Sequence, residues 1–474
     1  MLLRILAALA LFGLASSCAI NPVTGERNFV LMSEAQELDV GRQGDLGVKK
    51  QYALYDENKL AAYVDEVGQR VAALSHRPGL PYHFTLLDSA EINAFALPGG
   101  HIYITRGIVA FLNSEAELAA VLGHEIGHVT ARHSVRQMSA AQSTDILITI
   151  ASVLSPAMRD QNVRGLAGTF GNALLSGYGR EHELEADRLG AGYLARTGYD
   201  PQAMIRVIGV LKNQELFDAE AAKQEGRTPR AYHGVFETHP DNDTRLQQTI
   251  GASASLRAGA RGDGREEFMR RTAGMLFGDS PREGIVRDGS FYHPDLGMAM
   301  TLPRDWRLQN MPDRLLLLAP GGDTTLEMRM QAKPNQDPAA VLRSNRLIGN
   351  DIETTPVNGL PAAVATGSAG AAGLVYFGDN MVTFNATAKS GRLSDAHGRA
   401  VRDTIRSFHR ITEAERLLAR PLRMRSITAT ASTRFAGLAA KSPLGRNAEG
   451  TLRLINGIYP TGEPRPGQLL KVIE

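Results

Sequence analysis

His124-Glu125-Ile126-Gly127-His128 is the stretch of this chain whose residue types and spacing could do chemistry. On a helix, residues four apart lie one turn apart on one face, so His124 and His128 can reach the same ion. Glu125 lies about 100° round from His124, near enough to reach a water beside the ion and too far round to be a third ligand. Neutral imidazoles suit zinc, which takes one more protein ligand and keeps a position open when the site is catalytic. That ligand is expected at Glu183, within Arg180-Glu181-His182-Glu183-Leu184-Glu185-Ala186-Asp187. Glu183 and Asp187 are again four apart. Asp187 is expected to accept the free ring N–H of a ligating histidine, fixing its tautomer. The chemistry implied is peptide hydrolysis: one zinc per chain acidifies a water and polarises a carbonyl, and Glu125 takes the proton as general base and returns it to the leaving amine. A purely structural zinc site has no use for a base at Glu125. Nucleophilic catalysis has no comparable support, since Cys18 is the sole cysteine and no Gly-x-Ser-x-Gly elbow precedes a helix.

These residues need two helices. Ser114-Glu115-Ala116-Glu117 reads as a capping box opening the first, and Arg180 to about Arg196 has the pattern of the second, which must pack antiparallel to it. Upstream, Ser33 and Gln36 form another capping box, Glu57 to Leu74 reads as a helix and His83 to Leu87 as a strand. A Pro98-Gly99-Gly100 turn leads into the alternating strand His101-Ile102-Tyr103-Ile104. Ile146 to Leu154 fits either a core helix or an interfacial segment, Arg159 to Gly179 a loop region, and Pro201 to Leu216 a further helix. Gly259 to Gly264 reads as a surface excursion ending this part. From Gly284 to about His409 short apolar stretches alternate with Gly, Asp and Pro, which predicts an antiparallel sheet with one helix near Pro338 to Leu347.

With 474 residues, 43% hydrophobic and 22% charged, the composition is that of a globular protein of several domains. The net charge of +2 is too small to suggest a nucleic-acid partner, and no long basic block supports one, so none is expected. Arg4, the apolar run Ile5 to Leu14 and the small residues Ala15, Ser16 and Ser17 have the layout of a signal peptide over residues 1–18, and the run is too short to span a bilayer. Cys18 directly after them resembles a lipobox cysteine, which would anchor the chain to a membrane; ordinary cleavage nearby is the alternative. Ala19, not aspartate, then points to the outer membrane. Either way the mature chain works outside the cytoplasm.

Together with the metal motif, Asn21-Pro22-Val23-Thr24-Gly25, Asn93-Ala94, Pro98-Gly99-Gly100, Arg132-His133 and Thr238-His239-Pro240 with Arg245 make the chain resemble the zinc metallopeptidases related to HtpX and the CAAX prenyl protease, and among them the soluble periplasmic lipoprotein branch that includes BepA and LoiP. The resemblance covers about residues 19–260. It implies an α+β fold: a mainly helical gluzincin-type domain over 19–262 with a small edge sheet. It implies that His101, Ile102, Tyr103 and Ile104 form the cleft edge that pairs with an extended peptide. His239 would sit above the zinc as a gate, Arg245 near the cleft to help hold an oxyanion, and His133 behind the ligands or in a structural place. Misfolded or misassembled envelope proteins are the substrates it implies. Where members of the branch carry helical repeats, this chain has the sheet-like region over 284–410, for which the sequence suggests no function.

Residues 421–474 resemble a LysM module, a β-α-α-β fold that binds N-acetylglucosamine chains such as peptidoglycan. Phe435 to Ala439, Leu452 to Gly457 and Pro466 to Val472 carry the likeness, while Ala431-Ser432-Thr433 replaces the usual Gly-Asp-Thr. Eight Lys and Arg against three Glu give this segment +5, compatible with an acidic cell wall; a folded cap or protein-docking module is the alternative. The reading that emerges is an envelope zinc endopeptidase. Its rivals are a peptidoglycan-associated hydrolase and a gated, chaperone-like assembly factor.

Overall fold

The computed structural model describes residues 18–139, 179–225 and 260–474, apart from 26, 31, 56–57, 312, 344–351 and 368–369, together with a few positions between 245 and 256. The signal peptide expected before Cys18, the segments 146–154 and 159–178, and His239 lie outside the described residues. These fall into two compact units. One runs to Phe277 and takes in Arg423–Glu474; the other is Gly278–Leu422.

The first unit opens with two short paired strands, β1 (Cys18–Ile20) and β2 (Arg27–Phe29). Helix α1 (Glu34–Gln51) starts at the expected capping box: Ser33 Oγ accepts from the Gln36 N–H at 3.3 Å, and Gln36 Oε1 accepts from the Ser33 N–H at 2.9 Å. Helix α2 (Asn58–Ala72) follows, then strands β3 (His83–Leu87), β4 (Ala94–Ala96) and β5 (His101–Thr105). Gly99 and Gly100, at φ 78° and 91°, make the β4–β5 turn that residues with a Cβ resist. The strand order is β3-β5-β4, with β3 parallel and β4 antiparallel to β5.

After β5 come α3 (Arg106–Phe111) and α4 (Glu115–Thr130), every residue of which is buried; the run of Ala, Val, Leu and Gly in α4 suits a helix wrapped on all sides. Only half of its predicted capping box forms. Ser114 Oγ accepts from the Glu117 N–H, but the Glu117 carboxylate reaches past Ser114 to accept from the Asn113 N–H at 2.6 Å. Helices α5 (Arg180–Thr197), α6 (Ala203–Glu225) and α7 (Arg265–Thr272) and strand β6 (Leu276–Phe277) complete this stretch of chain.

The second unit packs a seven-stranded and a four-stranded sheet. It holds β7 (Ile285–Arg287), β8 (Ser290–His293), β9 (Met298–Thr301), β10 (Arg307–Met311), β11 (Arg314–Leu318), β12 (Thr324–Ala332), α8 (Pro338–Arg343), β13 (Ile352–Glu353), β14 (Ala362–Thr366), β15 (Gly370–Phe377), β16 (Asn380–Ala388), α9 (Asp395–Ser407), β17 (His409–Arg410) and α10 (Glu413–Leu418). The larger sheet runs β10-β11-β12-β16-β15-β14-β13, all antiparallel. Val375 and Val382 join Phe384 in the core on one face, while Leu374 and Met381 meet Ala339 and Leu342 of α8 on the other, the period-2 alternation of a sheet covered on both sides. The β-rich expectation holds, but α9 escapes it. Its only large apolar side chains are Val401 and Ile405, four apart, which it buries, and Ser394 caps its start.

Residues from Leu422 onward have the order β18 (Leu422–Thr428), α11 (Phe435–Ala439), α12 (Ala448–Ile455) and β19 (Leu469–Ile473). Their two strands join β6 in one sheet of order β19-β18-β6, so this segment shares its compact unit with α4. Lys471, 1% exposed, donates to the Ala110 and Leu112 carbonyls at the end of α3, at 2.6 and 2.7 Å. Arg265 bridges Asn113 O and Leu469 O. No described helix is long and apolar enough to cross a membrane.

Candidate metal centre

Helices α4 and α5 approach so closely because the contact is built from residues with little or no side chain. A Cβ added to Gly127 would meet the Ala186 carbonyl oxygen at 3.0 Å and its Cα at 3.1 Å; one added to Gly190 would meet the His124 nitrogen at 3.0 Å. Gly127→Leu is therefore expected to force the helices apart, costing about 1–3 kcal/mol as an overpacked core does. Urea unfolding reads the cost, and weaker zinc uptake by the same variant reads the displaced carboxylate.

The close approach brings three buried side chains together. His124 Nε2 and His128 Nε2 are 3.0 Å apart, and Glu183 Oε2 and Oε1 lie 3.6 and 3.4 Å from them respectively. Ligands about 2.0–2.1 Å from a tetrahedral zinc stand about 3.3 Å from one another, so one ion fits among these three. Among the described residues they form the group able to hold a metal. Glu183 is fully buried between two imidazoles, a place for a carboxylate that a cation satisfies.

Behind the ligands stand further charges. His124 Nδ1 lies 2.8 Å from Asp187 Oδ1. Asp187 is gripped by Arg245, whose Nε and Nη2 each donate at 2.8 Å, a two-pronged pair of the strong kind. Arg245 Nη1 stands 3.4 Å from Glu183 Oε2. Burial alone would raise the Asp187 carboxyl, but Arg245 and then His124 hold it at about 2. Burial likewise lowers His124, yet Asp187 and Glu183 outweigh it and lift the imidazole to about 9. In the metal-free chain His124 is thus protonated at neutral pH, and a bound metal must displace that proton.

Glu125, 2% exposed, lines a small pocket with His124, Ala94, Val121, Met204 and Arg245. His124, Glu125, His128, Glu183 and Asp187, expected together from their spacing, thus lie in one place. The strand does not behave as expected. His101 to Ile104 belong to β5, the central strand, whose backbone is paired on both sides and has no edge to offer. The edge nearest the site is β4. Thr105 N–H donates to Asn93 O and Leu97 N–H to His101 O, so alternation turns the amide groups of Ala94 and Ala96 away from β5. Cys18 lies in β1. Glu185, not among the residues expected at the site, pairs with His133 and Arg136. It lies two residues from Glu183, a helical spacing that points to the opposite face, so periodicity gives no signal for it.

Residues 58–251 match the model of Peptidase family M48. Over 282 residues the chain is 28% identical to the beta-barrel assembly-enhancing protease of Escherichia coli (strain K12), covering 58% of this chain and 55% of that one. It is 31% identical to the protein of the same name from Yersinia pestis over 49% of this chain and 47% of that one, and 26% identical to the metalloprotease YcaL of Escherichia coli (strain K12) over 40% and 71%. The chain thus spans about half the length of the beta-barrel assembly-enhancing proteases it matches.

Proposed function

We propose that this chain, which carries a Peptidase family M48 domain at residues 58–251, is a zinc-dependent endopeptidase of the bacterial envelope that cleaves misfolded or misassembled envelope proteins. The observation that carries the reading is the buried triad of His124, His128 and Glu183 with Glu125 beside it on the same helix. Zinc, held by those three, would polarise the scissile carbonyl and acidify a water. Glu125 takes the proton from that water and gives it to the departing amine. Asp187 keeps the His124 proton on Nδ1, leaving Nε2 bare toward the metal. An extended peptide adds to the outer edge of β4 beside Ala94, where the pocket wall meets the sheet. The E. coli relative's name supports a substrate among barrel proteins under assembly.

One observation favours a second reading, the chain as an assembly factor held shut. Ala94 and Ala96 are 2% and 5% exposed and Glu125 2%, so a peptide reaches the centre only when the cleft opens. Cleavage of casein separates the two. The endopeptidase cleaves it, stops with a zinc chelator and resumes when zinc is restored. No cleavage by the wild type or by His239→Ala would overturn the endopeptidase, and release of muropeptides from sacculi would replace it with a cell-wall hydrolase.

A further inference from the structure

We propose that His133 and Glu185 form a positioning arm for His128, two hydrogen bonds in series that fix which nitrogen of His128 carries its proton. The inference rests on the reading of His128 as a zinc ligand. His128 turns Nε2 toward His124 and Glu183, so Nε2 must be bare to bind a metal and its proton must sit on Nδ1. His128 Nδ1 lies 2.8 Å from His133 Nδ1. Two nitrogens at that distance share one proton, so His128 donates and His133 Nδ1 accepts. The His133 proton is then on Nε2, which faces Glu185 Oε2 at 3.0 Å. Arg136 Nη1, 3.3 Å from the same oxygen, holds the far end, and the His182 ring stacks on His133 with centroids 4.2 Å apart. His133 itself is fully buried. Every atom in the series has a role, and the direction of both bonds follows from the single requirement that His128 Nε2 be bare.

The chain goes to some length to put His133 there. In a straight helix, residue 133 would lie about 140° round from residue 128 and could not reach it. Helix α4 instead ends at Thr130, and Arg132 takes φ 56°, a left-handed conformation unfavourable for a long side chain that carries a Cβ. That turn brings His133 back beneath His128. It is held by the Arg132 side chain, whose Nε donates to Glu37 Oε2 at 3.0 Å and Nη2 to Met32 O at 3.1 Å. Glu37 is fixed in turn by Arg77 at 2.7 Å. The Arg132-His133 pair thus has one residue shaping the turn and the other using it. The two ligand histidines are supported differently: His124 by a carboxylate directly, His128 through a neutral imidazole, and both carboxylates come from the helix that supplies Glu183.

The test is zinc affinity of the full chain, measured by chelator competition, with the melting temperature of each metal-free variant recorded alongside. His133→Phe keeps the bulk and removes the acceptor; its affinity is expected to fall about 10–100-fold, the loss usual when a ligand's outer partner is removed. His133→Asn, whose Oδ1 occupies roughly the place of Nδ1, is expected to recover most of that loss. Zinc affinity in His133→Phe equal to wild type, or His133→Asn as weak as His133→Phe, overturns the arm. Should His133→Phe not fold, the tautomers of the zinc-loaded wild type decide by ¹⁵N NMR: protons on His128 Nδ1 and His133 Nε2 support the arm, and a proton on His133 Nδ1 overturns it. A wild-type chain that takes up no zinc at all overturns the metal-centre reading itself, and the arm with it.

Discussion

Glu125→Gln is expected to abolish proteolysis while leaving the fold and the metal in place. Glutamine matches glutamate in shape and accepts a hydrogen bond, but it cannot carry away a proton. Loss of a positioned general base costs about 10²–10⁴-fold in rate. The substitution should not weaken the fold, since Glu125 is 2% exposed and a neutral amide is easier to bury than a carboxylate. Zinc content, melting temperature and casein cleavage measured together check this. A variant with wild-type zinc and wild-type kcat/KM would remove Glu125 from the chemistry.

Arg245→Met is the second large effect, and here the loss is of stability. Arg245 is buried and donates to both oxygens of Asp187, which is buried as deeply, and stands beside Glu183. Methionine fills much of the space but leaves two buried carboxylates facing no guanidinium. Breaking a buried pair from one side costs about 3–5 kcal/mol, here because Asp187 and Glu183 are left to share the single His124 cation. Urea unfolding of the metal-free variant reads that cost. Bound zinc should offset part of it, since a cation beside Glu183 replaces some of the lost charge, so the deficit is expected to shrink when zinc is added. An Arg245 whose main task is to hold an oxyanion predicts the reverse: unchanged stability and a fall in kcat/KM alone.

What the sequence reveals and what it hides divide along a physical line. His124, His128, Glu183 and Asp187 are legible because each pair is set by the helical repeat, and the Ser33 cap and the strand His83–Leu87 because their signals lie within a few residues. The order of strands is not local. Nothing in His101–Ile104 itself says that β3 will pair with it on one side and β4 on the other, and that arrangement moves the usable edge to Ala94–Ala96. Glu185 is hidden for a related reason: its partner His133 is placed by a backbone turn at Arg132, and a left-handed arginine is not predicted by composition. Helix α9 is missed because its buried face mixes Gly398 and Thr404 with just two large apolar residues, Val401 and Ile405. The link from Lys471 to the end of α3 joins residues more than 350 positions apart, and neither end carries a motif for it.

One zinc held by His124, His128 and Glu183 underlies every step above, and zinc stoichiometry in the purified wild type beside Glu183→Gln measures it most directly. Glutamine keeps the shape of the third ligand and removes the charge that the two imidazoles and the ion require. One zinc per chain in the wild type, with occupancy and casein cleavage both lost in Glu183→Gln, is the predicted result. Full occupancy and full activity in Glu183→Gln would contradict it.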